Sequence, residues 1–343
     1  MRTIIHWHSF WDPRILLNPL RIPVQFYYSR VMSSFIRGEV QSRFEEMKRH
    51  KSNDTSPATG EKAKSVIALA LQEYISRKLQ DGKTKIQDLH LDDGFARLAS
   101  NQMRLFIFAG NDSTAAAITF TYHALHLNPS VLDQLRNEHD NIFGNDPSAA
   151  ADMLRSQPAL LNQCRYTMAV IKETLRLWPP ASSMRDGIPG VSLVDRKGTA
   201  IPTAHLNATI MHNYIHTNPR VWPRANEFLP ERWMVGSEHE LYPPPGAYRP
   251  FEHGARNCIG QTLVYNELRV VLVMTARSFV VEPAYGEWDA GLRGREGVVG
   301  GVLRRLGLRG ETCKVVGGER AYQTSKSGAR PANGYPCRVS LVD

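Results

Sequence analysis

The ten residues from Phe251 to Gly260, Phe-Glu-His-Gly-Ala-Arg-Asn-Cys-Ile-Gly, constrain this chain more than any other stretch. Cys258 lies between two glycines, with Arg256 two residues before it and an apolar run after it. Gly254 and Gly260 relieve steric limits on either side and let the backbone approach another group. The apolar run predicts a helix that starts near Cys258 and ends about Ser278. The sulfur then sits at a helix N-terminus, where the helix dipole favours a thiolate. A cysteine in such a loop is a metal ligand or a nucleophile.

The other cysteines, Cys164, Cys313 and Cys337, are scattered and form no close pair. This is neither a disulfide scaffold nor a zinc pattern, and it points to a reducing compartment. With 343 residues, 42% of them hydrophobic, the chain can bury a large core. The net charge of +9 would suit nucleic acid, an anionic membrane or an acidic protein. Its Lys and Arg residues are dispersed, so no nucleic-acid partner is expected. No stretch reaches the ~20 apolar residues that span a bilayer, and the N-terminus does not read as a signal peptide.

Along the chain, residues 1–50 predict short helices broken at Pro13, Pro19 and Pro23. After a polar loop at 51–62, Val66, Leu69, Ala70 and Ile75 predict one face of an amphipathic helix. A long helix is expected from about Asp92 to Leu127. Asn128-Pro129 opens the next, which ends near Phe143-Gly144, and another covers Tyr166–Leu177. Residues 191–215 read as strand, with a turn at Arg196-Lys197-Gly198, and 217–257 as irregular, Pro-rich chain. Residues 291–310, with seven Gly and five Arg, read as a flexible insertion rather than an RNA-binding arm. The fold class is mainly α with a small β-sheet.

Three further stretches carry chemistry. Ala109-Gly-Asn-Asp-Ser-Thr114 sets an acid before two hydroxyls within the long helix. Asp112, Ser113 and Thr114 could relay protons through water from a locally opened helical turn. Glu173 and Arg176 are one turn apart on a helix, and Phe228-Leu-Pro-Glu-Arg-Trp233 places Arg232 downstream. His212 and His216 are not read as a metal pair, since they fall in a strand-like segment with no third ligand nearby, and His123 and His126 are read as helical packing rather than as a second metal site.

Taken together, these stretches resemble the cytochrome P450 family. Its cysteine loop has the pattern F-x-x-G-x-R-x-C-x-G, and this chain matches every fixed position. The likeness implies haem b, iron protoporphyrin IX, ligated axially by Cys258. Phe251, Gly254 and Gly260 would shape the loop, and Arg256 would reach a propionate. It implies oxygen activation by Asp112, Ser113 and Thr114, although the family most often has Thr where this chain has Ser113. A structural network of Glu173, Arg176 and Arg232 is implied as well. Lys172–Pro180, Arg249–His253, Gly318–Tyr322 and Asn333–Val339 resemble filamentous-fungal members of secondary-metabolite pathways.

The activity so implied is hydroxylation or epoxidation of a hydrophobic natural-product intermediate. Electrons come indirectly from NADPH through NADPH-cytochrome P450 reductase. The resemblance spans residues 1–343 as one incomplete domain, the C-terminal two-thirds of the cytochrome P450 fold, carrying the 291–310 insertion. In family order Met1 falls just before the helices that precede the oxygen motif, so the chain reads as N-terminally truncated. Poor solubility or weak haem retention is the corresponding expectation, and a non-catalytic remnant is the competing reading. The family works at the endoplasmic reticulum membrane surface. This chain has no transmembrane anchor and would be cytoplasmic if complete. Ala181–Met184 is expected to face the haem.

Overall fold

The computed structural model describes residues 16–53, 65–80, 85–295, 313–324 and 329–342. They form two compact units that divide between Asn111 and Asp112.

In the first unit, helix α1 covers Arg21–Asn53 and α2 covers Val66–Leu79. Ile36, Val40 and Phe44 recur every four residues on α1 and are buried against Leu71, Tyr74 and Ile75 of α2 and Leu89. Tyr74 Oη donates to His90 O at 3.0 Å and accepts from Asp92 N at 3.1 Å, which fixes the entry to α3, Asp93–Leu127. Asp92 Oδ1 then caps α3 by accepting from Phe95 N at 2.8 Å.

Two expectations fail in this unit. Pro23 does not break a helix. It is the third residue of α1, where its missing N–H would lack an intrahelical acceptor in any case. Pro19 lies in the turn before α1, and Pro13 is outside the described residues. On α2, Val66, Leu69 and Ala70 are exposed, and only Ile75 of the expected face is buried. α1 packs on the stripe one position away.

The second unit holds the rest of α3, α4 (Pro129–Phe143), α5 (Ala150–Ser156) and α6 (Arg165–Leu177). These are followed by α7 (His212–His216), α8 (Gln261–Thr275) and α9 (Tyr285–Arg295). Its core joins Ala117 and Leu125 of α3, Val131 and Leu135 of α4, Val170 and Leu175 of α6, and Leu268 and Leu272 of α8. Phe228, Tyr248 and Phe251 pack on that cluster, which ties the irregular segment to the helices.

Among the described residues, the named strands form three antiparallel two-stranded ladders. β1 (Ser183–Asp186) pairs with β4 (Asn207–Ile210), and β2 (Ser192–Val194) pairs with β3 (Ala200–Pro202). β5 (Phe279–Pro283) pairs with β6 (Cys337–Leu341). The β2–β3 turn is the one expected: Gly198, at φ 83°, donates to Asp195 O at 3.0 Å. The strand reading of 191–215 is wrong at its end, where His212–His216 is helical because both histidines are drawn into the core. α8 starts at Gln261 and ends at Thr275, so Cys258 precedes the helix rather than opening it. Of the 291–310 segment, residues 291–295 continue α9, and residues 296–310 lie outside the described residues.

Gly187 follows β1 so closely against the β3–β4 connection that a Cβ there would sit 1.6 Å from Thr203 O. Gly187→Ala must force that connection apart and is expected to lower stability by about 3 kcal/mol, the upper end of overpacking. Its urea midpoint checks this, and a wild-type midpoint contradicts it.

Candidate active site

Glu173 and Arg176, both completely buried, are the centre of the unit's polar structure. Arg176 grips Glu173 in bidentate fashion, Nε to Oε2 at 3.0 Å and Nη2 to Oε1 at 2.8 Å. Arg232 Nε and Leu229 N each donate to Oε1 at 3.0 Å, and Trp233 Nε1 donates to Oε2 at 3.0 Å. Other guanidinium protons meet backbone carbonyls. Arg176 donates to His216 O, Ala225 O and Glu227 O, and Arg232 donates to Pro223 O and Arg224 O. Both guanidinium groups face the buried Trp222 ring, at 5.3 Å and 5.7 Å from its centroid. One carboxylate thus serves two cations, and although the backbone carbonyls offset part of the cost of burying them, burial still lowers the pKa of Arg232.

α6, which carries this pair, has no local N-cap. Glu138 of α4 reaches over instead and accepts from Tyr166 N at 2.6 Å and Thr167 N at 2.8 Å.

The loop with Cys258 continues from the same network. Glu252 and Gly254 adopt positive φ values of 63° and 86°. Cys258 N donates to Phe251 O at 2.9 Å, and Asn257 N donates to Gly254 O at 3.1 Å. These bonds curl the loop so that the Cys258 thiol is exposed. Phe251 anchors the loop inward, edge-on to Tyr265 with centroids 5.0 Å apart. Arg256 is exposed on the same loop. Gly260 has φ −85° and would bring a Cβ to 3.8 Å from Cys258 Sγ, an ordinary contact, so neither its backbone conformation nor clearance demands glycine here.

Glu252 is the acid beneath the loop. Arg249 binds it at 2.6 Å and 3.2 Å, and Arg185 and His212 each approach to 3.6 Å. Burial alone would raise its pKa. Hydrogen bonds from Ser183 and Arg249 and the Arg249 charge outweigh that and hold the carboxyl at about 2.

In α3 the oxygen-motif residues Asp112 and Thr114 are buried and Ser113 is half-buried. The helix runs through them without interruption, so the locally opened turn expected there is absent from the described backbone. Asp112 is ion-paired with Arg330, from the segment after β5 that also donates Ala329 N to Pro180 O at 2.9 Å. Ala117, just beyond the motif, shares a core cluster with Phe251 of the cysteine loop. Met184, expected to face the haem, is exposed on β1.

The family model described as Cytochrome P450 matches residues 3–290. This chain belongs to the cytochrome P450 family. The cytochrome P450 monooxygenase polC of Polytolypa hystricis is 39% identical over 332 residues, covering 96% of this chain and 54% of that protein. The cytochrome P450 monooxygenase acrF of Aspergillus aculeatus is 31% identical over 340 residues, covering 94% of this chain and 63% of that protein. The chain therefore spans between half and two-thirds of the length of these two relatives. A crystal structure of a cytochrome P450 (CYP102L1) superposes with a TM-score of 0.61 at 21% identity, over 98% of this chain and 60% of that one, a likeness of fold.

Family and fold imply a haem held by a cysteine thiolate, and the residues present fit one. The exposed Cys258 thiol is a soft donor on a loop curled by its own backbone bonds. Beside it Ile259 and Leu263, 85% and 69% exposed, offer apolar surface to a flat macrocycle. Arg256 is an exposed cation on the same loop.

The sequence does not announce Trp222, Glu252 or Arg330, and it places the two histidines of α7 in a strand rather than in a buried helical turn. His212 and His216 were set aside as a metal pair, and among the described residues no cluster suits a metal ion. Their four-residue spacing was the available signal, since it puts both on one helical face.

Burial, with Arg277 adding to it, pushes His139 down to about 4, and burial, with His212 adding to it, does the same to His216. The unfolded chain, with histidines near 6.5, takes up these protons first. Stability is therefore complete above pH 6.5 and falls as pH drops towards 4, by on the order of 3 kcal/mol for each histidine. The urea midpoint should fall through this window, and less steeply in His139→Gln. An equal slope in that variant contradicts the assignment.

Proposed function

We propose that this chain forms the haem-binding portion of a monooxygenase that hydroxylates or epoxidises a hydrophobic natural-product intermediate. Electrons originate in NADPH and pass through cytochrome P450 reductase. The exposed Cys258 thiol on its curled loop, in a chain of this family, is the observation that carries the reading. Likeness to fungal monooxygenases supports the substrate class. Haem b, held through Cys258, would supply the redox chemistry of oxygen activation.

The chain's own contribution is positional. Arg256 meets a propionate, and Phe251, Gly254 and Gly260 hold the loop that presents the sulfur. Asp112 holds a carboxyl group inside the protein, paired directly with Arg330. The hydroxyls of Ser113 and Thr114, on the same turn, pass protons onward through water. Glu173, Arg176 and Arg232 take no part in the chemistry and brace the loop. Operation at the endoplasmic reticulum surface belongs to the same proposal. Among the described residues, no helix is long and apolar enough to cross a membrane.

The decisive test is the carbon-monoxide difference spectrum of the reduced, haem-loaded chain. Thiolate-type absorption supports the reading, and its absence overturns it. If proton delivery runs through Asp112, Asp112→Asn keeps that absorption but loses about 10²–10⁴-fold in product formed per electron pair, as for loss of a general acid–base group. Product yield and peroxide release, measured together, check this. Unchanged coupling removes Asp112 from the relay.

A further inference from the structure

We infer that His216 is a positioning residue for the iron-ligating loop, coupling the Glu173–Arg176 network to Cys258 through its two ring nitrogens. The inference rests on the haem-thiolate reading of Cys258.

The geometry specifies a single tautomer. His216 Nδ1 lies 3.0 Å from Arg176 O, which can only accept, so Nδ1 carries the proton. Nε2 accepts from Arg249 N at 2.9 Å and must be bare. Arg176 O is among the last carbonyls of α6 and has no partner within the helix, so the imidazole completes the helix end. Arg249 is two residues before Phe251, whose carbonyl accepts Cys258 N–H, and its side chain holds Glu252 at 2.6 Å. One ring thus joins a helix terminus to the backbone segment from which the cysteine loop is hung.

The contact is reciprocal, because Arg176 Nη1 donates to His216 O at 2.7 Å. Ring rotation is blocked as well. His212 stacks at 6.0 Å and 16°, Tyr248 stacks at 5.8 Å and 24°, and Trp222 closes the edge at 6.3 Å. His216 is completely buried, so neither ring nitrogen can exchange its partner for bulk water. A residue serving only to fill space would need neither hydrogen bond. Here both are made, to two segments far apart in sequence that would otherwise slide past each other.

His216→Phe keeps the ring and its stacking but leaves Arg176 O and Arg249 N without partners. His216→Gln offers one donor and one acceptor again. Both are compared with wild type in the full, haem-loaded chain by total haem and by the carbon-monoxide spectrum of the reduced protein. The expected result is near-normal haem in His216→Phe, with roughly tenfold or more of it shifted to the spectrum of displaced or protonated sulfur, as two orphaned buried groups imply. His216→Gln should restore most of the thiolate-type absorption. Thiolate-type absorption in His216→Phe equal to wild type overturns the inference. So does equal loss of haem from both variants, which would mark a purely structural role. If wild type itself lacks the absorption, the haem-thiolate reading fails and this inference fails with it.

Discussion

Cys258→Ala should abolish thiolate-type absorption in the reduced, carbon-monoxide-treated protein while leaving the fold as stable as before. The two halves of this expectation have different physical sources. Only a thiolate donor gives the iron that electronic signature, and alanine offers no donor. The thiol itself is exposed, and the loop is shaped by backbone bonds from Cys258 N and Asn257 N that alanine keeps. A substitution at such a position typically moves stability by less than about 0.5 kcal/mol. Spectrum and urea midpoint should be read on one preparation. Cys164 is the control, because it is buried and its thiol is pushed up to about 12, chiefly by burial. Absorption surviving in Cys258→Ala would move the ligand elsewhere. A collapsed midpoint would mean that the thiol has a structural role its exposure does not suggest.

Glu173→Ala should have the largest effect on folding. Five donors converge on this carboxylate, among them the guanidinium groups of Arg176 and Arg232. Its removal leaves two buried cations close together beside Trp222 with only carbonyl partners. Breaking a buried pair from one side destabilises by about 3–5 kcal/mol, comparable to the whole stability of many domains. Insoluble or protease-sensitive protein is the expected outcome. Glu173→Gln should be milder, because it keeps one carbonyl acceptor and the shape. A Glu173→Ala protein with a wild-type urea midpoint would show that Arg176 and Arg232 are adequately held by their backbone carbonyls alone.

The parts of this molecule legible in its sequence are the local ones. The Cys258 loop and the Glu173–Arg176 pair each lie within a few residues, and the turn at Gly198 follows from one residue's conformational freedom. Pro23 misled because the same residue is disruptive inside a helix and harmless in its first turn, and only the position of the helix start decides between them. The buried face of α2 was misjudged because α1 decides which stripe is covered. His212–His216 reads as strand by composition and is helical by burial, since five residues carry too little periodicity to outweigh tertiary contacts. Arg330 and Asp112 meet across most of the chain, and nothing near either residue announces the other.

One consequence concerns the order in which this protein can assemble. Helix α6, at thirteen residues, is short for independent stability in water. Its N-terminus is capped by Glu138 of α4, and its C-terminal carbonyl is met by His216 from beyond the first two ladders. The segment bearing Glu173 and Arg176 is therefore tied at both ends by groups made elsewhere. A peptide of residues 165–177 should be largely unstructured. The Glu173–Arg176 network then forms late in folding, after the scaffold on either side of it has closed.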